Sequence, residues 1–158
     1  MASIWHIALA VPNLDKAMKE LGDALMLTWR PIEKSLVQMR GEDGQVYDLE
    51  CTFTFSEGGP AAIELWEAIP GSPLGPVDGM ALHHIGYWVD DLPGEAKRLE
   101  GLGYPTYAAV PASGPPTRVT IHRGPYGLML EPCGTERDRP HLHDLYPTES
   151  PLYEPAKK

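Results

Sequence analysis

The sequence predicts an α+β protein in which two βαβββ modules form paired curved sheets around a metal cavity. Three observations carry this expectation. The chain repeats itself at an offset of 78 residues, each repeat opens with a strand running into a capped helix, and each half carries one His and one Glu at matching strand positions. Residues 4–21 and 82–99 align without gaps and share His6/His84, Ile7/Ile85, Val11/Val89, Leu14/Leu92, Lys19/Lys97 and Leu21/Leu99. Six identities in 18 positions are several times what unrelated segments give, and a repeat of this length implies two copies of one supersecondary unit.

The first module spans 3–69. Its opening run SIWHIALAV is short, apolar and rich in β-branched and aromatic residues, which predicts a strand over 3–11. Asn13 is placed to cap a helix whose Leu14, Ala17, Met18, Leu21 and Leu25 recur at helical spacing. Further strands are expected near 28–32, 35–40, 46–55 and 61–68, with turns at Gly41–Gly44 and Gly58–Pro60. Residues 70–80 form a Pro/Gly linker. The second module, 81–133, repeats the plan. A strand over 81–89 leads to Asp91 as helix cap, with Leu92, Ala96 and Leu99 on one stripe and Gly101 or Gly103 as the stop. Strands follow near 105–109, 117–123 and 127–133. The segment 134–158 holds four prolines without periodicity and is expected to wrap the surface as an extended tail.

Composition narrows the function. A net charge of −9 works against nucleic acid, which needs a clustered basic surface, and favours a neutral, bulky or aromatic small-molecule substrate over a polyanion. Cys51 and Cys133 stand far apart without CxxC spacing, which excludes a disulfide framework and fits a reducing cytoplasm. The uncharged run 102–117 contains six Gly or Pro and cannot form a bilayer helix, so no membrane association is expected.

Alternation places His6 on one strand face with Ile4 and Ala8, and His84 with Leu82, Gly86 and Trp88. Glu64 lies inside the apolar run AAIELW, and Glu131 inside LMLEPC. A carboxylate within a buried strand is costly unless paired or bound to a metal. The four symmetric positions His6, Glu64, His84 and Glu131 therefore predict one divalent ion, with Mn, Fe(II), Co, Ni or Zn all admissible for two imidazoles and two carboxylates. His83 is rejected as a ligand because alternation turns it away, and the HxH of His141 and His143 is assigned to a solvated tail. Glu131 is the first candidate for a catalytic base, with Asp48 and Glu50 as further acid/base candidates. Trp66 and Trp88 are expected to line the substrate pocket, and His122 to meet the substrate.

The doubled WHIALAVPNLDKA and LHHIGYWVDDL openings, with IELWE and IHRGPYGLMLEP, resemble the vicinal oxygen chelate superfamily over about 3–133. That superfamily includes glyoxalase, methylmalonyl-CoA epimerase and ring-cleaving dioxygenases, and the epimerase-like branch is the most similar. The resemblance implies the same four ligands, a homodimer, and an isomerase, epimerase or lyase acting by proton transfer next to a carbonyl through an enolate that the ion stabilises. An Fe(II) ring-cleaving dioxygenase and a non-catalytic drug-sequestering protein are the alternatives within the superfamily. Ala10 and the pair Met18–Lys19 stand where glutathione-dependent glyoxalases carry Arg and FY, which argues against glutathione.

Overall fold

A computed structural model describes residues 3–58, 61–114, 116–136 and 139–155. Eight strands close into a single barrel in the order β1-β4-β3-β2-β6-β7-β8-β5. The first module supplies β1 (Ser3–Val11), α1 (Leu14–Leu25), β2 (Glu33–Gly41), β3 (Val46–Phe55) and β4 (Ala62–Glu67). The second supplies β5 (Leu82–Val89), α2 (Leu92–Gly101), β6 (Thr106–Val110), β7 (Val119–Arg123) and β8 (Met129–Gly134). Each opening strand pairs in parallel with the last strand of its own module, β1 with β4 and β5 with β8. The modules join where β1 and β5 run antiparallel, and again at the narrow seam Arg40↔Ala109, Gly41↔Ala108 between β2 and β6. The sheets thus meet at both edges, which removes open strand edges.

Both helices start as the sequence predicts. The Asn13 side chain accepts from the Lys16 amide at 2.8 Å, and that of Asp91 from the Gly94 amide at 2.9 Å. Leu14, Ala17, Met18 and Leu21 of α1 pack on Val11, Ile63 and Leu65, while α2 buries Leu92, Ala96 and Leu99. These apolar stripes hold the helices to the outside of the barrel and leave its interior for inward strand residues such as Ala8, Met39, Trp66, Ala108, Ile121 and Met129.

Three expectations change. The strand near 28–32 is reduced to an isolated bridge, Trp29↔Ser56. Pro31 cannot donate to a ladder, and Trp29 instead donates from Nε1 to the Met18 carbonyl at 2.8 Å. The segment between β4 and β5 does more than link, because Leu74 and Val77 are buried in the barrel core and the Leu74 carbonyl accepts from Trp66 Nε1 at 2.9 Å. The tail forms a 3₁₀ turn at Pro140–Leu145 and buries Leu142 and Tyr146. Arg30 anchors it, donating to the His141 carbonyl at 2.7 Å and the Asp144 carboxylate at 2.6 Å. No helix among the described residues is long and apolar enough to cross a membrane.

Candidate metal centre

The four predicted ligands meet inside one chain. His6 Nε2 lies 2.8 Å from His84 Nε2, 3.3 Å from Glu64 Oε2 and 3.1 Å from Glu131 Oε2. His84 Nε2 lies 3.6 Å from Glu64 Oε2 and 3.2 Å from Glu131 Oε2. Donor atoms about 2.0–2.2 Å from a common ion, at angles of roughly 90–110°, are separated by about 2.8–3.6 Å. All five of these contacts fall in that range, so each carboxylate stands with both imidazoles at the spacing of ligands to a shared divalent ion.

Strand pairing explains the convergence. On β1 Ala8 pairs with Glu64, and on β5 Gly86 pairs with Glu131, so the two glutamates hold equivalent places beside the repeat positions 8 and 86. Across the β1–β5 ladder His6 faces Gly86 and His84 faces Ala8. Each imidazole therefore lies over a residue with little or no side chain. At Gly86 the requirement is strict, since a Cβ there would overlap the His6 ring.

The same ladder breaks twice, between Ile4 and His6 and between Ala8 and Leu9. Each break inserts one extra residue, Trp5 on β1 and His83 on β5, and these are equivalent under the 78-residue offset. A bulge places two consecutive side chains on one face, so simple alternation fails here. This corrects the expectation that His83 turns away: it is buried against His84, although among the described residues it joins no candidate ligand group. His83 Nε2 lies 3.0 Å from the Pro73 carbonyl, which only accepts, so that nitrogen carries the proton. Burial, followed by the neighbouring His84 charge, lowers His83 to about 3 and keeps it neutral. Its Nδ1 is then the acceptor for His84 Nδ1–H at 3.1 Å. The relay places the ligating lone pair of neutral His84 on Nε2. Replacing His83 with Phe is expected to weaken metal binding by about 10–100-fold while keeping the fold, as a competitive chelator titration would measure.

Within this cluster His84 is raised to about 9. Burial works against its charge, but the Glu131 and then Glu64 carboxylates outweigh it. Glu131 is held well below the usual carboxylate range by His84 and His6, although burial pushes the other way. Cys133, two residues on and facing the same way, brings Sγ to 3.3 Å from Glu131 Oε2. Burial, with the Glu131 charge adding to it, pushes that thiol well up. Sequence reasoning missed Cys133, His83 and Trp5. The i+2 spacing from Glu131 is the available signal for Cys133, whereas the bulges at Trp5 and His83 leave no mark on a period-two pattern.

A cavity of about 320 Å³ opens from this centre, with Phe53, Phe55, Trp66, Val119 and Ile121 among its apolar walls. Trp66 lies where predicted, its ring 5.3 Å from that of His84. Trp88 does not line the cavity. It stacks between Trp5 at 4.7 Å and Tyr146 at 4.4 Å and donates to the Leu145 carbonyl at 2.8 Å, because the tail covers it. His122 is also turned away. Val119 and Ile121 of β7 face inward, which sends His122 outward toward α2, where it meets the Tyr104 carbonyl at 3.1 Å and Thr120 Oγ1 at 3.0 Å. Asp48 and Glu50 are exposed, held by Gln38 at 3.0 Å and Lys34 at 3.6 Å. Leu49, Cys51, Phe53 and Phe55 take the inward phase of that strand, so neither carboxylate reaches the centre. His141 reaches the cavity rim and pairs with Glu33 at 3.5 Å, and among the described residues neither it nor His143 joins a candidate ligand group.

A family model described as glyoxalase/bleomycin resistance protein/dioxygenase superfamily matches residues 5–120. The chain belongs to that superfamily. Its vicinal oxygen chelate fold recurs in solved structures of low identity. A variant of Streptomyces coelicolor methylmalonyl-CoA epimerase with 2-nitronate-propionyl-CoA is 17% identical, with a TM-score of 0.59 over 87% of this chain and 99% of that one. The Mycobacterium tuberculosis methylmalonyl-CoA epimerase is 17% identical, with a TM-score of 0.55 over 84% and 87%. A mutant of 4-hydroxymandelate synthase from Streptomyces coelicolor is 16% identical, with a TM-score of 0.54 over 84% of this chain and 38% of that one. No curated protein matches the sequence. The superfamily model ends before Glu131, so the fourth ligand position rests on the strand pairing described above.

Proposed function

We propose that this superfamily member is a divalent-metal-dependent isomerase, epimerase or lyase that moves a proton next to a carbonyl in a small molecule. The observation that supports it best is the pair of imidazole nitrogens 2.8 Å apart, with one Glu64 and one Glu131 oxygen each 3.1–3.6 Å from both, built from pseudo-symmetric positions of two modules. A divalent ion held by His6, Glu64, His84 and Glu131 supplies a Lewis acid for a carbonyl oxygen. The chain's own residues divide the remaining work. Glu131 is fixed on Oε2 by both imidazoles and by the Cys133 thiol, which suits a permanent ligand. Glu64 is the carboxylate with the longer contacts, 3.3 and 3.6 Å, and the more exposed side chain. It is therefore the better group to take and return the proton, a role that sequence reasoning gave first to Glu131. Trp66, Phe53 and Phe55 keep water from the reacting carbon along the apolar wall.

Two carboxylates with two imidazoles also favour this chemistry over ring cleavage, which in non-haem Fe(II) oxygenases uses two His and one carboxylate with open positions. A drug-sequestering role would leave the buried charge cluster without a use. The test is proton exchange. Incubated with candidate α-hydrogen ketones and thioesters in D₂O, the metal-loaded protein is expected to introduce deuterium at the α-carbon equally in air and under anaerobiosis. Glu64→Gln is expected to slow exchange by about 10²–10⁴-fold while retaining metal, whereas Asp48→Asn and Glu50→Gln leave it unchanged. Activity that requires oxygen would establish the dioxygenase alternative, and tight binding without exchange the sequestering one.

A further inference from the structure

Outside the quartet the cavity is lined by the Cys51 thiol and by five charged or imidazole side chains, Glu33, Lys34, Arg118, Arg139 and His141. Three of these have partners. Glu33 lies 3.5 Å from His141, and Lys34 lies 3.6 Å from Glu50. The two arginines differ. Among the described residues neither has a carboxylate within ion-pair distance, although the chain carries 22 acidic residues against 13 basic ones. Arg118 Nε is buried without a hydrogen-bond partner, and among the described residues Arg139 Nη2 donates to the Arg118 main-chain carbonyl, at 3.3 Å.

Both residues line the cavity, and Arg118 opposes the rise that burial and Glu64 impose on the Cys51 thiol, which lines it too. Both arginines are half-buried, Arg118 Nε has lost water without gaining a partner, and two like charges beside one apolar cavity repel. A planar anion would satisfy both, because a guanidinium presents its donors in a fork matched to a carboxylate.

We infer that the substrate is a small carboxylic acid whose carboxylate is held by Arg118 and Arg139, with its reacting oxygen directed to the quartet and an apolar body against Phe53, Phe55 and Trp66. The charges agree with this. Glu64 and Glu131 neutralise a divalent ion, so the arginines carry the uncompensated charge of the cavity. The whole-chain charge of −9, which favoured a neutral substrate, averages over exposed carboxylates such as Asp48 and Glu50 and says little about this interior. The cavity's 320 Å³ is at the lower end of the roughly 300–1,000 Å³ of ligand pockets, which suits a small acid.

The inference rests on the metal-centre reading only for the placement of the opposite end of the ligand, and the test separates the two. The probes are 3-phenylpropionate and its neutral isostere 3-phenylpropanamide, titrated calorimetrically into Zn²⁺-loaded protein whose metal content and melting temperature are measured for every variant. Wild type is expected to prefer the acid by at least about tenfold. Arg118→Gln and Arg139→Gln are each expected to reduce that preference several-fold, the double variant to abolish it, and Arg118→Lys to retain part of it. Amide affinity and metal content should stay unchanged throughout. An acid preference that survives in the double variant means that the carboxylate sits on the metal, and no preference in wild type means that no carboxylate site exists; either overturns the inference. A protein that binds no zinc but keeps an arginine-dependent preference would overturn the metal centre and leave this site standing.

Discussion

His84→Ala is expected to lower divalent-metal affinity by more than about 100-fold, because it removes one of four donors whose joint binding energy is on the order of 10 kcal/mol. The loss also has a pH signature. In the metal-free protein His84 is raised to about 9, above its value of 6.5 in the unfolded chain, so its proton stabilises the fold fully below pH 6.5. That stabilisation is lost as pH rises through about 9. A metal ion must displace the same proton, so wild-type affinity should climb by up to about tenfold per pH unit toward pH 9 and then level off. In His84→Ala this part of the slope should be absent. Chelator competition from pH 6 to 9.5, with Asp48→Asn as a control indistinguishable from wild type, checks both statements.

Gly86→Ala is expected to be nearly as damaging, although glycine carries no ligating atom. The added methyl would overlap the His6 ring, and that ring has little room to move, being packed at 4.0 Å against Trp5 and at 4.9 Å against His84. Overpacking of this kind costs about 1–3 kcal/mol of stability, and here it also pushes a donor away from the centre. The expected result is a lower melting temperature together with a metal affinity reduced at least tenfold. The equivalent change on the other side, Ala8→Gly, opens space over His84 and should leave metal binding within a few-fold of wild type. Thermal melts of the metal-free and metal-loaded forms separate the two effects.

The sequence made the repeat legible because both copies need the same strand, cap and apolar stripe. The four candidate ligands could be named from the sequence because buried strand carboxylates have few uses besides pairing and metal binding. What stayed hidden depends on distortion and on distant chain. Strict alternation assigns His83 to the outer face, and only a bulge, invisible to a period-two pattern, turns it inward beside His84. Trp88 does share a face with His84, but the tail residues Leu142 and Tyr146 cover it, and no local pattern announces that a proline-rich tail will bury two side chains. Asp48 and Glu50 occupied the right strand in the wrong phase. Arg118 and Arg139 lie in segments without periodicity, so their meeting at one cavity is a product of tertiary structure.

The most direct test of the centre is X-ray absorption of the protein loaded with one equivalent of Zn²⁺. His6, Glu64, His84 and Glu131 predict a first shell of nitrogen and oxygen at about 2.0–2.2 Å, with the outer-shell scattering of two imidazoles. Cys133 also groups with His6 and Glu131 among the possible ligands, and a thiolate would scatter at about 2.3 Å. A sulfur-free shell with two imidazoles is the predicted result; sulfur in the shell, or a single imidazole, would contradict the assignment.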